Sequence, residues 1–414
     1  MTSGPAAVVT LADVEAAAGR IAGFVERTPS ARSQTLSTLV GFDLVLKHEE
    51  LQFTASFKER GACNRLLQLT DDERRRGVVA MSAGNHAQAV ARHAARLGID
   101  ATIVMPATTP FMKVHGTQVL GATVVLAGVD LAEATTEARR IAAKDGRVFV
   151  HPYDDAGVIA GQGTVALELL ADHPDLGALV VPVGGGGLVA GMAVAAKALR
   201  PDVVVVGVQS ERWPSMLAAV DGPASAPAGI GGSTVADGIA VPVAGELTTP
   251  LVAQHVDALV TVTDDAVESA INLLLEVEKT VVEGAGAAGL AALLHADPKV
   301  RDLLAGRTVG VVLSGGNIDP RLLASVVMRG LARSGRLARL LVEVTDAPGS
   351  LAKVTAVLGE AGANIVELLH DRMLLEVSAR SAELEVVVET FDHDHLDRVV
   401  AALREAGFPA TVAR

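Results

Sequence analysis

The sequence predicts an α/β protein, parallel sheets wrapped by helices on both faces, followed by a separate ferredoxin-like domain. Three observations carry this. From Val78 onward a short aliphatic run, a glycine-bearing turn and a long Ala/Leu-rich helix recur in order, the pattern of parallel strands joined by helical crossovers. At 414 residues the chain is long enough for two or three domains. After Met328 the order of elements changes to β-α-β-β-α-β, the ferredoxin-like arrangement.

In chain order, Leu11–Val25 has apolar residues at helical spacing, with Asp13 and Glu15 early, where the helix dipole favours acids. Leu44–Leu46 is a short strand leading to LQFTASFKERGA (Leu51–Ala62), and Gly61–Leu69 is a helix running on from Lys58. Val78–Met81 leads through SAGNH to a helix at Ala87–Leu97. Thr102–Met105 leads through PATTP to a helix near Lys113–Leu120, and Thr123–Leu126 leads to the helix Leu131–Lys144. Leu179–Val183 leads through four glycines to the helix Leu188–Leu199, and Val203–Val208 is the next strand. Gly222–Gly245 is irregular; Thr308–Leu313 is a strand ending in SGGNID, with a helix from Pro320. The second domain is read as strand Ala338–Thr345, helix Leu351–Ala361, strands Asn364–Leu369 and Glu383–Thr390, helix Leu396–Ala406 and strand Pro409–Val412.

Composition excludes several classes. Half the residues are hydrophobic and 20% charged, as in a soluble globular protein, while aromatics make up only 2%. The core must therefore be Val, Leu, Ala and Ile. Lys+Arg 35 against Asp+Glu 48 gives −13 with no aromatic-studded basic patch, which argues against nucleic acid as a partner. The lone Cys63 permits neither an intramolecular disulfide nor a cysteine metal cluster, and is read as a small buried hydrophobe. The N-terminus lacks a basic region followed by an apolar core, so no signal peptide is expected. Ala178–Ala196 is uncharged and long enough to cross a bilayer, yet Pro182 and the glycines would break such a helix in its middle. It is read as strand, loop and helix, so no membrane partner is expected and the location is cytoplasmic.

Four constellations carry chemistry. Lys58 follows the aromatic Phe57, and an amine held against an apolar ring can shed its proton and attack a carbonyl; an ordinary ion-paired lysine is the bland alternative. Gly184–Gly187, between a buried strand and a helix, frees backbone N–H groups to converge on a phosphate at a helix N-terminus. No GK[ST] follows, which disfavours a nucleotide-hydrolysing P-loop. Ser82–His86 opens a helix where backbone amides could hold a carboxylate and Asn85 could donate to a ring oxygen. Ser314, in the loop Ser314–Asn317, could face a heteroaromatic nitrogen. Helix capping is the alternative for both serines, and a structural role for His86.

Three other motifs are weaker. Gly284–Gly289 matches GxGxxG but follows a helical stretch, Ala266–Val277, and Gly161–Ala166 half matches with no clear strand before it. Asp392–His395 has metal-ligand chemistry but reads as a solvated acidic turn before a helix. No metal site is expected.

A nucleophilic lysine, a phosphate cradle, a carboxylate loop and a serine facing a ring nitrogen together describe a pyridoxal-phosphate site. ASFKERGA, SAGNHAQAVA, VIAGQGTVALELL, VPVGGGGLVAG and LSGGNID resemble, in order, the motifs of the threonine dehydratases (threonine ammonia-lyases) of the fold-type II pyridoxal-phosphate family. The tail, with VEVTDAPGSLAKVTAVLGEAGANIVEL, resembles an ACT domain, a small amino-acid-sensing module. The resemblance implies a two-lobed catalytic domain over residues 1–330 with its smaller lobe at 50–150, a linker at 331–336 and the ACT domain at 337–414.

It also implies roles. Lys58 would hold pyridoxal 5′-phosphate as a Schiff base and then remove the substrate's Cα proton, with Phe57 near the ring. Gly184, Gly185, Gly186, Gly187 and Leu188 would bind the phosphate, Asn85 the 3′-oxygen and Ser314 the pyridine nitrogen. Ser82, Ala83, Gly84, Asn85 and His86 would clamp the substrate carboxylate. A neutral serine leaves the pyridine nitrogen unprotonated and favours expulsion of the β-hydroxyl, giving 2-oxobutanoate and ammonia from L-threonine, or pyruvate from L-serine. The similar serine racemases carry a second serine where Ala83 stands, and a carboxylate cluster where this chain has Gln209–Trp213. Dehydration is therefore favoured over racemisation; a monovalent cation stays open. Alternatives are an L-serine dehydratase or racemase of the same family, a catalytically silent amino-acid-binding regulator and a nicotinamide oxidoreductase. For the ACT domain the implied effector is isoleucine or valine at a subunit interface, near Asp346, Gly349, Ser350, Leu351, Asn364 and Ile365, in a homo-oligomer (dimer or tetramer).

Overall fold

The computed structural model describes residues 9–225, 231–371 and 381–413. The chain divides into two compact units, Met1–Ile318 and Asp319–Arg414.

The first unit holds two sheets. The larger contains β1 (Ser30–Arg32), β2 (Asp43–His48), β7 (Leu176–Pro182), β8 (Val204–Ser210), β9 (Ala258–Val262) and β10 (Thr308–Leu313). Their order is β1-β2-β10-β7-β8-β9, parallel except for β1. The smaller contains β3 (Val78–Met81), β4 (Ala101–Met105), β5 (Thr123–Leu126) and β6 (Val148–Phe149), all parallel, in the order β5-β4-β3-β6. Every residue of β8 is buried and its sequence, VVVGVQS, opens on five residues without a polar side chain, as in a strand covered on both faces. The core is Val, Leu, Ile and Ala, as the scarcity of aromatics requires.

Each sheet has one place where the strand order reverses. Chain growth runs β3→β4→β5, then returns to place β6 on the other side of β3; it runs β7→β8→β9, then returns to place β10 on the other side of β7. Crevices beyond the carboxyl ends of strands at such reversals are the binding sites of open α/β sheets. The loops at these four ends are Ser82–Gly84, His151–Asp155, Val183–Gly186 and Ser314–Ile318.

The GQG motif at Gly161 lies inside the helix Ala156–Asp172 and Gly284–Gly289 opens the helix Gly284–Leu294. At Gly161 a Cβ would lie 2.6 Å from the Arg60 carbonyl oxygen and 2.7 Å from the Gly61 Cα. That glycine serves close packing of two helices. The apparent membrane segment is β7, a loop and the helix Gly187–Leu199. No helix among the described residues is long and apolar enough to cross a membrane.

Several boundaries differ from expectation. The lysine helix spans Lys58–Leu67 and the SAGNH helix Asn85–Arg96, so both begin at the chemically important residue rather than two or three residues later. Short-range periodicity misses these starts because neither carries a capping side chain. The expected linker is partly helical: Pro320–Arg333 is one helix, capped by Asp319, and covers residues 331–333.

In the second unit β11 (Leu337–Thr345), β12 (Asn364–Asp371), β13 (Ser381–Glu389) and β14 (Ala410–Val412) form an antiparallel sheet in the order β12-β13-β11-β14. Burial alternates along β13, with Ala382, Leu384, Val386 and Val388 inward, against the helices Ser350–Glu360 and His393–Glu405. This is the expected βαββαβ order. Asp392 accepts from the His395 backbone N–H and caps the last helix, and His395 contacts the Ala361 carbonyl; DHDH is a cap.

Candidate active site

Lys58 opens its helix, and the two residues after it anchor that helix on opposite sides. Glu59 is fully buried, accepts from the Thr54 backbone N–H and from Arg92, and contacts His93. Burial alone would raise its pKa, but the bonds from His93 and Arg92 hold the carboxyl down to about 2. Arg60 is fully buried and forks onto Glu49 and Glu168 at 2.7–2.8 Å. Lys47 completes the cluster, donating to Glu168 and the Thr28 carbonyl at 2.6 Å. Two buried cations thus meet two carboxylates, the condition under which buried charge is tolerated.

The Lys58 amine donates to the Pro152 carbonyl at 2.8 Å. Burial pushes its pKa down to about 8, against the pull of Glu283. Near neutrality an appreciable fraction of such an amine is unprotonated, as a nucleophile or base requires. Its neighbour Phe57 packs against the large-sheet core, and the Phe57 backbone N–H donates to the Ser314 carbonyl at 3.1 Å. The lysine segment is therefore tied to the loop after β10 without using the Ser314 hydroxyl; Ser314 is buried.

The tetraglycine loop lies on Tyr153. A Cβ on Gly185 would sit 2.3 Å from the Tyr153 ring, and one on Gly186 2.4 Å from the Met216 methyl, at a φ of +97°. The Gly185 carbonyl accepts from the Thr248 hydroxyl at 2.6 Å. In a trans peptide the next N–H points the opposite way, so the Gly186 amide faces away from Thr248. The helix Gly187–Leu199 begins there with no side-chain cap, leaving its first amides and positive dipole end for an anion. These features fit a phosphate. Leu188 is buried, so it offers a backbone amide rather than its side chain.

Ser82 accepts from the Gly84 N–H at 3.1 Å. It thus uses one amide of the loop, but the helix Asn85–Arg96 has no side-chain cap either. A Cβ on Gly84 would meet nothing within 4 Å, so open space lies before this helix start. Ala83 packs against the small-sheet core. His86 is buried, with Nε2 on the Val150 carbonyl at 3.0 Å. The carbonyl can only accept, so Nε2 carries the proton and Nδ1 is a bare acceptor, buried without a partner. Burial and nearby Lys58 push the His86 pKa down to about 3.

The structure therefore joins Lys58, Phe57, Ser314 and the glycine loop through Pro152 and Tyr153. Sequence reading missed four residues of this site. Tyr153 floors the glycine loop. Asp154 accepts from the Glu246, Leu247 and Thr248 backbone N–H groups and so holds Thr248 on Gly185. Asn317 and Glu283 hold the Asn85 side chain at 2.8 and 2.6 Å. The available signals were the acid immediately before the glycine-alanine helix and the Asn of SGGNID. Among the expected effector residues, Gly349 adopts φ +89° and caps the helix Ser350–Glu360, Asp346 lies before it, Leu351 is partly exposed within it, and Asn364 and Ile365 begin β12.

Two family models match the chain: pyridoxal-phosphate dependent enzyme over residues 21–315 and ACT domain over residues 338–408. An L-threonine ammonia-lyase of Thermotoga maritima is 44% identical over 406 residues, 98% of this chain and 100% of that protein. Among solved structures, the T.th. threonine deaminase is 40% identical with a TM-score of 0.69, over 75% of this chain and 99% of that one. Serine racemase from Dictyostelium discoideum is 34% identical with a TM-score of 0.69, over 76% and 100%.

Proposed function

Because the chain belongs to the pyridoxal-phosphate-dependent enzymes, in the family that includes the L-threonine ammonia-lyases, we propose that it converts L-threonine to 2-oxobutanoate and ammonia. L-serine, giving pyruvate, is the side substrate. The observation that carries this reading is the Lys58 amine, 2.8 Å from the carbonyl of Pro152 next to Tyr153, which floors the glycine loop, together with two uncapped helix starts at the sheets' points of reversal.

Bound pyridoxal phosphate supplies the electron withdrawal that acidifies the amino acid's Cα–H and lets the β-hydroxyl depart. Gly184 to Leu188 would hold its phosphate through backbone amides, Asn85 its 3′-oxygen and Ser314, a neutral group, its ring nitrogen. The open helix start at Ser82–His86 binds the substrate carboxylate. Lys58 takes the Cα proton, which its lowered pKa permits near neutral pH. The Lys58 ammonium would return that proton to the departing β-hydroxyl, which would leave as water, and addition of a water to the released enamine would give ammonia and the 2-oxo acid. Ala83 has no exchangeable proton and packs against the small-sheet core, so no second acid stands there to reprotonate Cα from the other face. That weighs against racemisation.

Ammonia release from L-threonine by protein loaded with pyridoxal phosphate, beside Lys58→Ala, tests the reading. Comparing kcat/KM for L-threonine and L-serine, with a search for D-serine, separates it from the serine enzymes. The proposal extends to a cytoplasmic homo-oligomer regulated by isoleucine or valine at the ACT domain, through Asp346–Leu351 and Asn364–Ile365. Calorimetric titration of the full chain would show heat and a change in KM, with a coupling of ~1–3 kcal/mol; no heat with either amino acid would remove the effector.

A further inference from the structure

We propose that Glu283 and Asn317 are positioning residues that fix which face of the Asn85 side-chain amide meets bound pyridoxal phosphate. The proposal rests on the functional reading above and adds two residues to it. The Asn317 amide nitrogen donates twice, to the Thr54 carbonyl at 2.7 Å and to Asn85 Oδ1 at 2.8 Å. A carbonyl only accepts, so Asn317 must present its amino group there and has no hydrogen left over. Asn85 is thereby obliged to turn its oxygen toward Asn317 and its nitrogen toward Glu283 Oε1, at 2.6 Å. A flipped Asn85 would set oxygen against the Glu283 carboxyl and two amino groups against each other. One N–H of Asn85 remains uncommitted by this chain, at the first residue of the helix that opens the site.

Glu283 is built in for this contact. It is only 5% exposed, and its backbone N–H donates to the Gly315 carbonyl at 2.9 Å. A Cβ on Gly315 would lie 2.3 Å from Glu283 Oε1, so the glycine beside Ser314 makes room for the carboxyl. The charged groups around it are Lys58 on its own helix, Asp237 in the turn Asp237–Ile239, and Lys113 on the helix Phe111–Val119, which pairs with Asp237 at 3.2 Å. Burial and Asp237 hold the Glu283 pKa up to about 7. When ionised it grips the Asn85 N–H with a charge-assisted bond and also favours the protonated form of Lys58.

Equilibrium dialysis of pyridoxal 5′-phosphate against the full chain, across pH 6 to 9, tests this with wild type, Glu283→Gln, Glu283→Ala and Asn317→Ala, each checked for folding by circular dichroism. Asn317→Ala and Glu283→Ala should weaken binding about tenfold. Asn317→Ala should leave the pH profile of capture in place. Glu283→Gln still accepts from Asn85 and should stay within about threefold in affinity, while the onset of capture moves to lower pH because Lys58 loses the charge that holds its proton. If Glu283→Ala fails to fold, the other two variants decide. Wild-type affinity and an unmoved onset in both Glu283→Gln and Asn317→Ala would overturn the proposal while leaving the family reading intact. A wild-type chain that never captures the cofactor would overturn the family reading, and the proposal with it.

Discussion

The Lys58 amine donates to the Pro152 carbonyl at 2.8 Å, so the loop after β6 and the start of the Lys58 helix are one unit. That carbonyl holds the amine in place but offers no charge to keep its proton. Burial then lowers the pKa from 10.5 to about 8. Capture of the cofactor needs the neutral amine, so its rate should rise with pH and level off above about 8. Stopped-flow absorbance from pH 6 to 9 measures this; Lys58→Arg, which stays protonated throughout, should show no capture.

Glu59 should make the fold acid-sensitive. Its pKa lies at about 2 against an ordinary 4.5, so its contribution is present above 4.5 and lost as pH falls toward 2. Glu59→Gln removes the partner of buried His93 and part-buried Arg92 and should cost about 3–5 kcal/mol. Urea unfolding at pH 7 and pH 4 checks both, with a smaller acid loss in the variant than in wild type over that interval.

Arg60→Ala should be as damaging, about 3–5 kcal/mol, since it strands Glu49 and Glu168 beside a single cation, Lys47. Arg60→Lys should recover only part, because an ammonium cannot fork onto two carboxylates. Thermal unfolding ranks the three proteins.

Gly185→Ala should weaken pyridoxal-phosphate binding by about tenfold to a hundredfold, the usual 1–3 kcal/mol of overpacking, since its Cβ meets the Tyr153 ring at 2.3 Å. Pairing it with Tyr153→Ala, which empties that space, should restore part of the affinity. Dialysis of the single and double variants reads the coupling directly.

Much of this was legible in the sequence because periodicity and glycine placement are local. The strands Val78–Met81, Thr123–Leu126 and Thr308–Leu313 stand as their patterns predict. The residues missed act at a distance. Glu283 and Asn85 are 198 positions apart, and no spacing rule joins an acid before one helix to the first residue of another. Asp154 is similarly hidden, for its carboxylate is needed only because Leu247 and Thr248 come to rest beside it. The GAGAAG run misleads for the opposite reason: its glycines let neighbouring loop backbone approach the helix closely, with a Cβ on Gly286 meeting the Gly315 carbonyl oxygen at 2.6 Å. The run therefore resembles a nucleotide motif without the strand such a motif needs.

Borohydride reduction of the protein saturated with pyridoxal phosphate, followed by peptide mapping, tests the central claim most directly. A single pyridoxyl group on the peptide that contains Lys58 is the predicted result. Modification of another lysine, or none, would contradict it.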